Sequence, residues 1–155
     1  MTETIEERLK ALGVTLPEPA APVANYVGWV RSGDLVFVSG QVTLEGGKPR
    51  YLGKLGADIG LEEGQAAARL CAVNIVAQLK QACAGDLERV RRILRLGGFV
   101  NSTPDFTQQP QVINGASDFM VAVFGERGRH ARAAVSAPAL PLGVAVEIDC
   151  VAEVA

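Results

Sequence analysis

The sequence has few aromatic residues, a single histidine and no closely spaced pair of cysteines. Aromatic side chains make up 5% of the 155 residues, so the core must be built mainly from Val, Leu, Ile and Ala. Cys71, Cys83 and Cys150 form no CxxC motif, and with His130 as the only histidine they do not make a zinc site. We predict that all three are reduced core thiols of a cytosolic protein that holds no metal.

An excess of positive charge and a long apolar run are also absent. The net charge of -2 predicts no nucleic-acid surface. The arginines between Arg89 and Arg95 lie close to Asp86 and Glu88, as is typical of a solvated edge. No apolar run approaches the length of a transmembrane helix, and the acidic N-terminus is unlike a signal peptide. We therefore expect neither a nucleic-acid partner nor a membrane partner.

Motifs for phosphate binding and for nucleophilic catalysis are missing as well. The sequence has no P-loop and no complete GxGxxG. Ser39 lacks the flanking pattern of a nucleophile elbow, and a single histidine gives little support for a hydrolase triad.

The hydrophobic pattern predicts three helices and five main strands. A short helix over residues 4–12 and an extended linker make up residues 1–21, and one domain is predicted over residues 22–155. In that domain two strands flank the turn at Ser32-Gly33-Asp34, and a glycine-rich loop or small hairpin follows at 45–60. A long helix that ends at Gly85 comes next, and a strand over 91–101 follows it, in which Gly97-Gly98 marks a bulge or a close backbone approach. The last elements are a helix over 109–124 followed by Gly125, and two closing strands over 131–137 and 144–152.

These elements predict an α+β fold in which a single sheet carries two long helices on one face. Ala68, Ala72, Ile75, Leu79 and Ala82 form the apolar stripe of the first long helix, and Ile113, Ala116, Met120 and Val123 form that of the second. The other face of the sheet then needs a cover, and another copy of the same chain is the expected cover.

Two charged residues interrupt the closing strands. Arg132 shares a strand face with Ala134 and Ser136, and such small neighbours leave room for a guanidinium to bind a carboxylate through its planar fork. A structural salt bridge, for example to Glu147, is the alternative. Glu147 shares with Asp149 the strand face opposite to the core positions, and periodicity alone favours a solvated carboxylate there.

Other polar residues lie at strand ends. His130 shares the strand face of Arg132, but a histidine at a loop–strand junction is more often a surface residue than a general base. Tyr26 opens the first strand, and Ser39 and Gly40 end the second, where a hydroxyl and backbone N–H groups can face an anion. An ordinary strand-to-loop turn explains the Ser-Gly pair equally well.

Three segments of the sequence follow the pattern of one known family. "ARAAVSAPALPLGVAVEI" combines an arginine, small residues, Leu-Pro and an apolar-Glu-Ile end, with Arg132 and Glu147 at the family's spacing. "YVGWVRSGDLVFVSGQ" has the form of an N-terminal hairpin, and "VINGAS" that of a helix with a site asparagine, here Asn114. Over residues 22–154 the chain thus resembles the Rid family, also called YjgF or L-PSP, and its RidA members in particular. The resemblance implies a chorismate-mutase-like fold and a homotrimer.

The resemblance also implies a deaminase that hydrolyses 2-imino or enamino acids to 2-keto acids and ammonia, without a cofactor. In RidA-type members an arginine binds the substrate carboxylate and a glutamate positions the attacking water, and these map to Arg132 and Glu147. The pocket residues map to Tyr26, Ser39, Gly40, Asn114 and Ala134. The sites of the family lie between the subunits of the trimer.

The sequence departs from the family pattern in several places. His130 stands where a small residue or proline is usual, and Ala134 stands where many RidA proteins have a cysteine, which excludes thiol chemistry there. Pro138 interrupts the strand after Ser136. The N-terminal helix and the loop at 45–60 are additions to the minimal fold, and they resemble a longer subgroup.

Two other functions remain open from the sequence. A non-catalytic module that binds small carboxylic metabolites would keep Arg132 and would not need Glu147. The ribonuclease activity of some family members is disfavoured here by the net negative charge and the lack of a histidine pair.

Overall fold

The computed structural model describes residues 3–19, 21 and 24–155. In this range the α-helices are α1 (Ile5–Ala11), α2 (Leu61–Ala82) and α3 (Gln109–Phe124). The strands are β1 (Trp29–Ser32), β2 (Leu35–Gln41), β3 (Leu44–Glu45), β4 (Lys48–Pro49), β5 (Val90–Asn101), β6 (Ala131–Ala137) and β7 (Val146–Val154). The order of helices and main strands is the predicted one, and β3 and β4 form a small hairpin at the start of the glycine-rich loop.

The five main strands form one sheet in the order β1-β2-β7-β5-β6. Neighbouring strands are antiparallel except β5 and β6, which are parallel and are connected through α3. Both α2 and α3 pack on the same side of this sheet, which confirms the α+β fold with two long helices on one face. We call this side the helix face; it carries the buried residues Leu96, Val100, Ile148 and Cys150.

The opposite side of the sheet, which we call the open face, has no cover within the described chain. Alternation along the strands places apolar side chains on it that would be buried in a closed core. Val30 is 53% exposed, Phe37 46%, Phe99 36% and Val135 47%. Several exposed apolar side chains on one sheet face are typical of an interface.

The two long helices lie against each other at a distance that only glycine allows. A Cβ atom added to Gly115 of α3 would lie 2.1 Å from the backbone oxygen of Gln65 in α2. The predicted stripes face inward, and their buried members are Ala68, Ala72, Ile75, Leu79, Ile113, Ala116, Met120 and Val123. α2 ends at Ala82, three residues before the predicted stop at Gly85, and Gly125 follows α3 at φ +64°.

The glycine pair of β5 marks a close approach rather than a bulge. The register of β5 against β7 shifts between Val90 and Arg92 and again between Ile93 and Arg95, upstream of the pair. A Cβ atom on Gly98 would lie 2.7 Å from the side chain of Ile113, so the missing side chain lets α3 pack directly on the strand.

The N-terminal helix α1 packs into the same core as the rest of the chain. Thr4 and Glu7 form a capping box at its start, and Ile5 and Leu9 are buried among residues of the main core. The Glu88 carboxylate accepts a hydrogen bond of 2.6 Å from the backbone N–H of Ile5. The division of the chain after residue 21 stays a prediction, and Ala20 and Pro22 of the predicted linker lie outside the described residues.

The three cysteines are free and buried, in agreement with their prediction as core thiols. Burial raises the pKa of the Cys71 and Cys83 thiols, and it raises the pKa of Cys150 to about 12. Over residues 3–19, 21 and 24–155, no helix combines the length and the apolar character needed to cross a bilayer. The same residues contain no cluster of three or more His, Cys, Asp or Glu side chains placed to bind a metal ion.

Candidate functional site

Arg132 lies on the helix face of β6 and contacts α3. Its Cα partner in β5 is the buried Leu96, which fixes the face. The guanidinium donates from Nη2 to the backbone oxygen of Pro110 at 3.2 Å and from Nη1 to Ser117 Oγ at 3.1 Å. Asn114 lies between these two residues on the same stripe of α3, one turn from each. The arginine half-site, as we call it, consists of Arg132, Asn114 and the neighbouring Ala134.

The charge of Arg132 is not neutralised within the chain. Among the described residues no carboxylate oxygen lies within 4 Å of its guanidinium. Both of its partners are neutral oxygens, and two of its five N–H donors are used, so three donors remain for a ligand. This set of free donors suits the bidentate binding of a carboxylate.

Uncharged polar groups lie beyond Arg132, toward the carboxyl end of β6. Ser136 Oγ and Ser102 Oγ lie 2.7 Å apart, and Gln109 Nε2 donates to Ser102 Oγ at 3.4 Å. Ser136 is on the predicted strand face with Arg132 and Ala134. Ser102 and Gln109 were not predicted, because only the packing of α3 on β5 and β6 brings them close to Ser136.

Glu147 lies on the other side of the sheet. Its Cα partner in β5 is the exposed Phe99, so its side chain is on the open face. The pairing of β2 with β7 shifts register between Val38 and Gln41, and this irregularity places Gly40 beside the glutamate. A Cβ atom on Gly40 would lie 2.3 Å from Glu147 Oε2, so the carboxylate occupies the space that a side chain would need.

The Glu147 carboxylate is half-buried and has no compensating cation. Within the described part of the chain, no Lys, Arg or His nitrogen lies within 4 Å of it. Burial raises the pKa of Glu147, and the nearby negative charge of Asp149 raises it further. A carboxyl group with a raised pKa on an accessible surface suits a general base.

Ser39 lies next to Gly40 near the end of β2, whereas Tyr26 lies outside the strands. Ser39 Oγ donates to the backbone oxygen of Val27 at 2.7 Å, which ties the segment before β1 to the end of β2. The prediction that Tyr26 opens the first strand is wrong. β1 begins at Trp29, because its pairing with β2 stops where β2 shifts register. Tyr26 lies in the bend before β1 and is 60% exposed.

The predicted site residues other than Tyr26 therefore form two groups in one chain. The arginine half-site is on the helix face, and the glutamate half-site, which consists of Glu147, Gly40 and Ser39, is on the open face. The predicted alternative of a salt bridge from Arg132 to Glu147 does not occur within the chain. Side chains alternate between the two sides of the sheet along β5, so Leu96 and Phe99 point to opposite sides. Arg132 pairs with Leu96 and Glu147 pairs with Phe99, and the two charged side chains are therefore on opposite sides as well.

Ser117 and His130 were not predicted as site residues. Ser117 Oγ lies 2.9 Å from His130 Nε2 and also accepts from Arg132. The sequence signal for Ser117 was its position three residues after Asn114, on the same side of a helix. His130 lies on the strand face of Arg132, as predicted, but it is half-buried rather than a free surface residue.

Comparison with known proteins identifies close relatives. The family model described as "YjgF/chorismate mutase-like, putative endoribonuclease" matches residues 6–154. Protein TCP17 of Trypanosoma cruzi is 50% identical over 150 residues, which cover 96% of this chain and 93% of that protein. The crystal structure of Agrobacterium tumefaciens Atu1372 has a TM-score of 0.93 and 51% identity, with coverage of 97% and 92%. A Shewanella oneidensis MR-1 structure with the same endoribonuclease description has a TM-score of 0.94 and 42% identity, with coverage of 98% and 100%.

Proposed function

Because the chain belongs to the YjgF/chorismate mutase-like family, we propose that it hydrolyses 2-imino acids and their enamine tautomers to 2-keto acids and ammonia. Arg132 binds the substrate carboxylate, and Glu147 positions and deprotonates the attacking water. No cofactor takes part in the proposed reaction.

The observation that carries this proposal is a pair of uncompensated charges. The Arg132 guanidinium is held by neutral oxygens and keeps three donors for a carboxylate. The Glu147 carboxylate has a raised pKa and no cation beside it in the described chain. An unpaired charge in a partly buried position costs free energy. A substrate that supplies a partner to both charged groups therefore explains why both are present.

The reaction needs few groups because a protonated imine is already electrophilic. Water adds to the imine carbon while Glu147 accepts its proton, and the electron pair of the C=N bond moves to nitrogen. Glu147 then gives this proton to the nitrogen and takes the proton of the new hydroxyl group as the C–N bond breaks, so that the carbonyl forms and ammonia leaves; the proton on Glu147 finally passes to solvent or to ammonia. Correct placement of the carboxylate and of one water is the main contribution of the protein, and loss of one such contact typically costs about 10²-fold in rate.

We further propose that the complete site forms between chains of a homotrimer. The half-sites lie on opposite faces of one sheet, so one chain cannot offer both to the same small molecule. β6 is an edge strand, and a neighbouring chain that covers this edge with its open face would bring its glutamate half-site to Arg132. The apolar open face supports such a contact. Joining two different surfaces head to tail gives a ring, and the family resemblance implies three chains.

The test is imine hydrolysis with substrates made in situ by an amino-acid oxidase. Semicarbazide competes with the protein for the imine, so acceleration appears as faster keto-acid release and as less semicarbazone. We expect acceleration by the wild-type protein and a loss of about 10²-fold or more in kcat/KM for Arg132→Ala and Glu147→Gln. Arg132→Lys keeps the charge but not the planar fork, and it should recover only part of the activity.

Two control variants remove the same kinds of charge elsewhere. Arg129 precedes β6 and pairs with Glu126 on the surface, so Arg129→Ala should retain activity. Glu153 lies on the same face of β7 as Glu147, six residues further on, and Glu153→Gln should retain activity as well. If the wild-type protein does not accelerate the hydrolysis of small, aliphatic or aromatic imines, the proposed deaminase activity is refuted.

A second candidate is a binding module for small carboxylic metabolites, and the free donors of Arg132 favour it equally. Calorimetry with pyruvate separates the two functions. In the module, Arg132→Ala abolishes pyruvate binding, Glu147→Gln leaves it intact, and the wild-type protein hydrolyses no imine. In the enzyme, Glu147→Gln keeps pyruvate binding and loses imine hydrolysis.

A further inference from the structure

A row of hydrogen bonds connects the chain backbone at Gly128 to the guanidinium of Arg132. His130 Nδ1 lies 2.6 Å from the backbone oxygen of Gly128, and His130 Nε2 lies 2.9 Å from Ser117 Oγ. Arg132 Nη1 donates to the same Ser117 Oγ at 3.1 Å. The row crosses from the segment before β6 to α3 and back to β6.

With a neutral His130 ring, the chemistry of the partner atoms sets the direction of every bond in this row. A backbone oxygen only accepts, so His130 Nδ1 carries a hydrogen and donates it to Gly128. A guanidinium only donates, so Ser117 Oγ accepts from Arg132. The Ser117 hydroxyl hydrogen is then directed to His130 Nε2, which in the neutral ring is an acceptor. Each group in the row has one orientation that satisfies all of its partners.

The start of the row is fixed by close packing of the backbone. Gly128 is buried, and a Cβ atom on it would lie 2.2 Å from the backbone oxygen of Met120 in α3. The carbonyl that orients His130 is thus held against the same helix that carries Ser117. Because α3 is anchored in the core through residues such as Ala116 and Met120, the row connects Arg132 to a rigid part of the fold.

We infer that Ser117 and His130 are positioning residues that set the orientation of the Arg132 guanidinium for the substrate carboxylate. The inference rests on the proposed function of Arg132. Pro110 fixes Nη2 and Ser117 fixes Nη1, so the plane of the guanidinium is defined by two points on α3. His130 acts through Ser117, since it removes the alternative orientations of the hydroxyl. A planar donor fork binds a carboxylate well only when its plane is aligned in advance.

The kinetic test compares Ser117→Ala with Ser117→Thr. Loss of the hydroxyl releases Nη1, so Ser117→Ala should raise KM about tenfold, the usual effect of one hydrogen bond to a charged group, with kcat changed far less. Ser117→Thr restores a hydroxyl and should restore KM. His130→Ala should raise KM in the same direction by a smaller factor. Ser32→Ala, at an exposed position in β1, is the matched serine control.

The spectroscopic test uses the fact that His130 is the only histidine in the chain. In protein labelled with ¹⁵N-histidine and without a histidine tag, the ring signals belong to His130 alone. The expected neutral tautomer has its hydrogen on Nδ1, and Ser117→Ala should shift the Nε2 signal while Nδ1 stays protonated. A hydrogen on Nε2 would overturn the row as described, and so would an unchanged KM in Ser117→Ala.

Failure of the proposed function is distinguishable from failure of this inference. If the wild-type protein hydrolyses no imine but binds pyruvate, the dissociation constants of the same variants replace KM and the inference stands or falls on them. If Ser117→Ala leaves both KM and pyruvate affinity unchanged while Arg132→Ala abolishes them, the positioning role is wrong and the proposed function survives. If the wild-type protein neither hydrolyses imines nor binds pyruvate, both are refuted.

Discussion

Replacement of Gly40 by alanine tests the position of the Glu147 carboxylate with little other change. The added Cβ atom would lie 2.3 Å from Glu147 Oε2 and 3.0 Å from Cδ. An ordinary contact needs at least 3.4 Å, so the carboxylate must move by about 1 Å. The displaced atoms are the end of a flexible side chain, and Gly40 does not have a positive φ. The free energy of unfolding should therefore fall by less than about 1 kcal/mol.

A displacement of this size matters for catalysis. Misplacement of a reacting group by about 1 Å can cost about 10²-fold in rate, and we expect a loss of that order in kcat/KM for imine hydrolysis by Gly40→Ala. In the proposed mechanism Arg132 binds the substrate carboxylate, so the loss should be in kcat more than in KM. Urea denaturation of the same preparations shows whether stability is retained.

Gly97→Ala is the matched control, because it displaces another carboxylate on the same face. Its Cβ atom would lie 2.3 Å from Asp149 Oδ1 and 2.7 Å from Arg95 Nη1. The proposed reaction does not use Asp149, so this variant should keep most of its activity. Equal losses in the two variants would mean that any added side chain on the open face disturbs the assembly. Full activity in Gly40→Ala would refute the assigned position of the general base.

Three further predictions concern pH, assembly and packing. The raised pKa of Glu147 should place the acid limb of kcat/KM above the ordinary glutamate value of 4.5, and Glu147→Gln should remove that limb. The folded state binds the Glu147 proton more tightly than the unfolded chain does, so the buried charge lowers the free energy of unfolding at pH values above the folded pKa. Glu147→Gln should therefore raise the urea midpoint at pH 7, and this gain should disappear as the pH falls below the pKa of Glu147 in the unfolded chain. A gain that is constant at all pH values would contradict this cause. Phe37→Glu puts a charge on the open face, where the proposed trimer has its interface. This variant should give monomers in sedimentation, with a normal far-UV spectrum and no imine hydrolysis, whereas an oligomer that stays intact would show that this face is not the interface. Gly115→Ala should lower the free energy of unfolding by about 3 kcal/mol or more, because the backbone of Gln65 cannot give way, and Gly98→Ala, which meets only the Ile113 side chain, should cost less in the same urea titration.

The sequence was most informative where periodicity depends on local geometry alone. The alternation along β7 assigned Glu147 and Asp149 to one face and the core residues to the other, as observed. The spacing in α3 identified its buried side, and Gly33 identified the hairpin between β1 and β2. These features are set by residues within one or two turns of each other, so no knowledge of the tertiary structure is needed.

The relation between Arg132 and Glu147 could not be read in the same way. Whether they share a face depends on which residues of β5 pair with each of them, and no local pattern sets that register. The start of β1 was misplaced for a related reason, because the irregularity at Ser39 and Gly40 in the partner strand ends the pairing. The row from Gly128 to Arg132 involves a backbone oxygen, which has no sequence signal at all.

The burial of all three cysteines has a practical consequence for experiments on assembly. Their thiols are shielded and their pKa values are raised, so a maleimide dye should leave the native protein unlabelled at neutral pH. One cysteine introduced at an exposed position such as Ser32 would then carry the only dye on each chain. Photobleaching of single immobilised particles would count chains one step at a time, without the removal of any native cysteine.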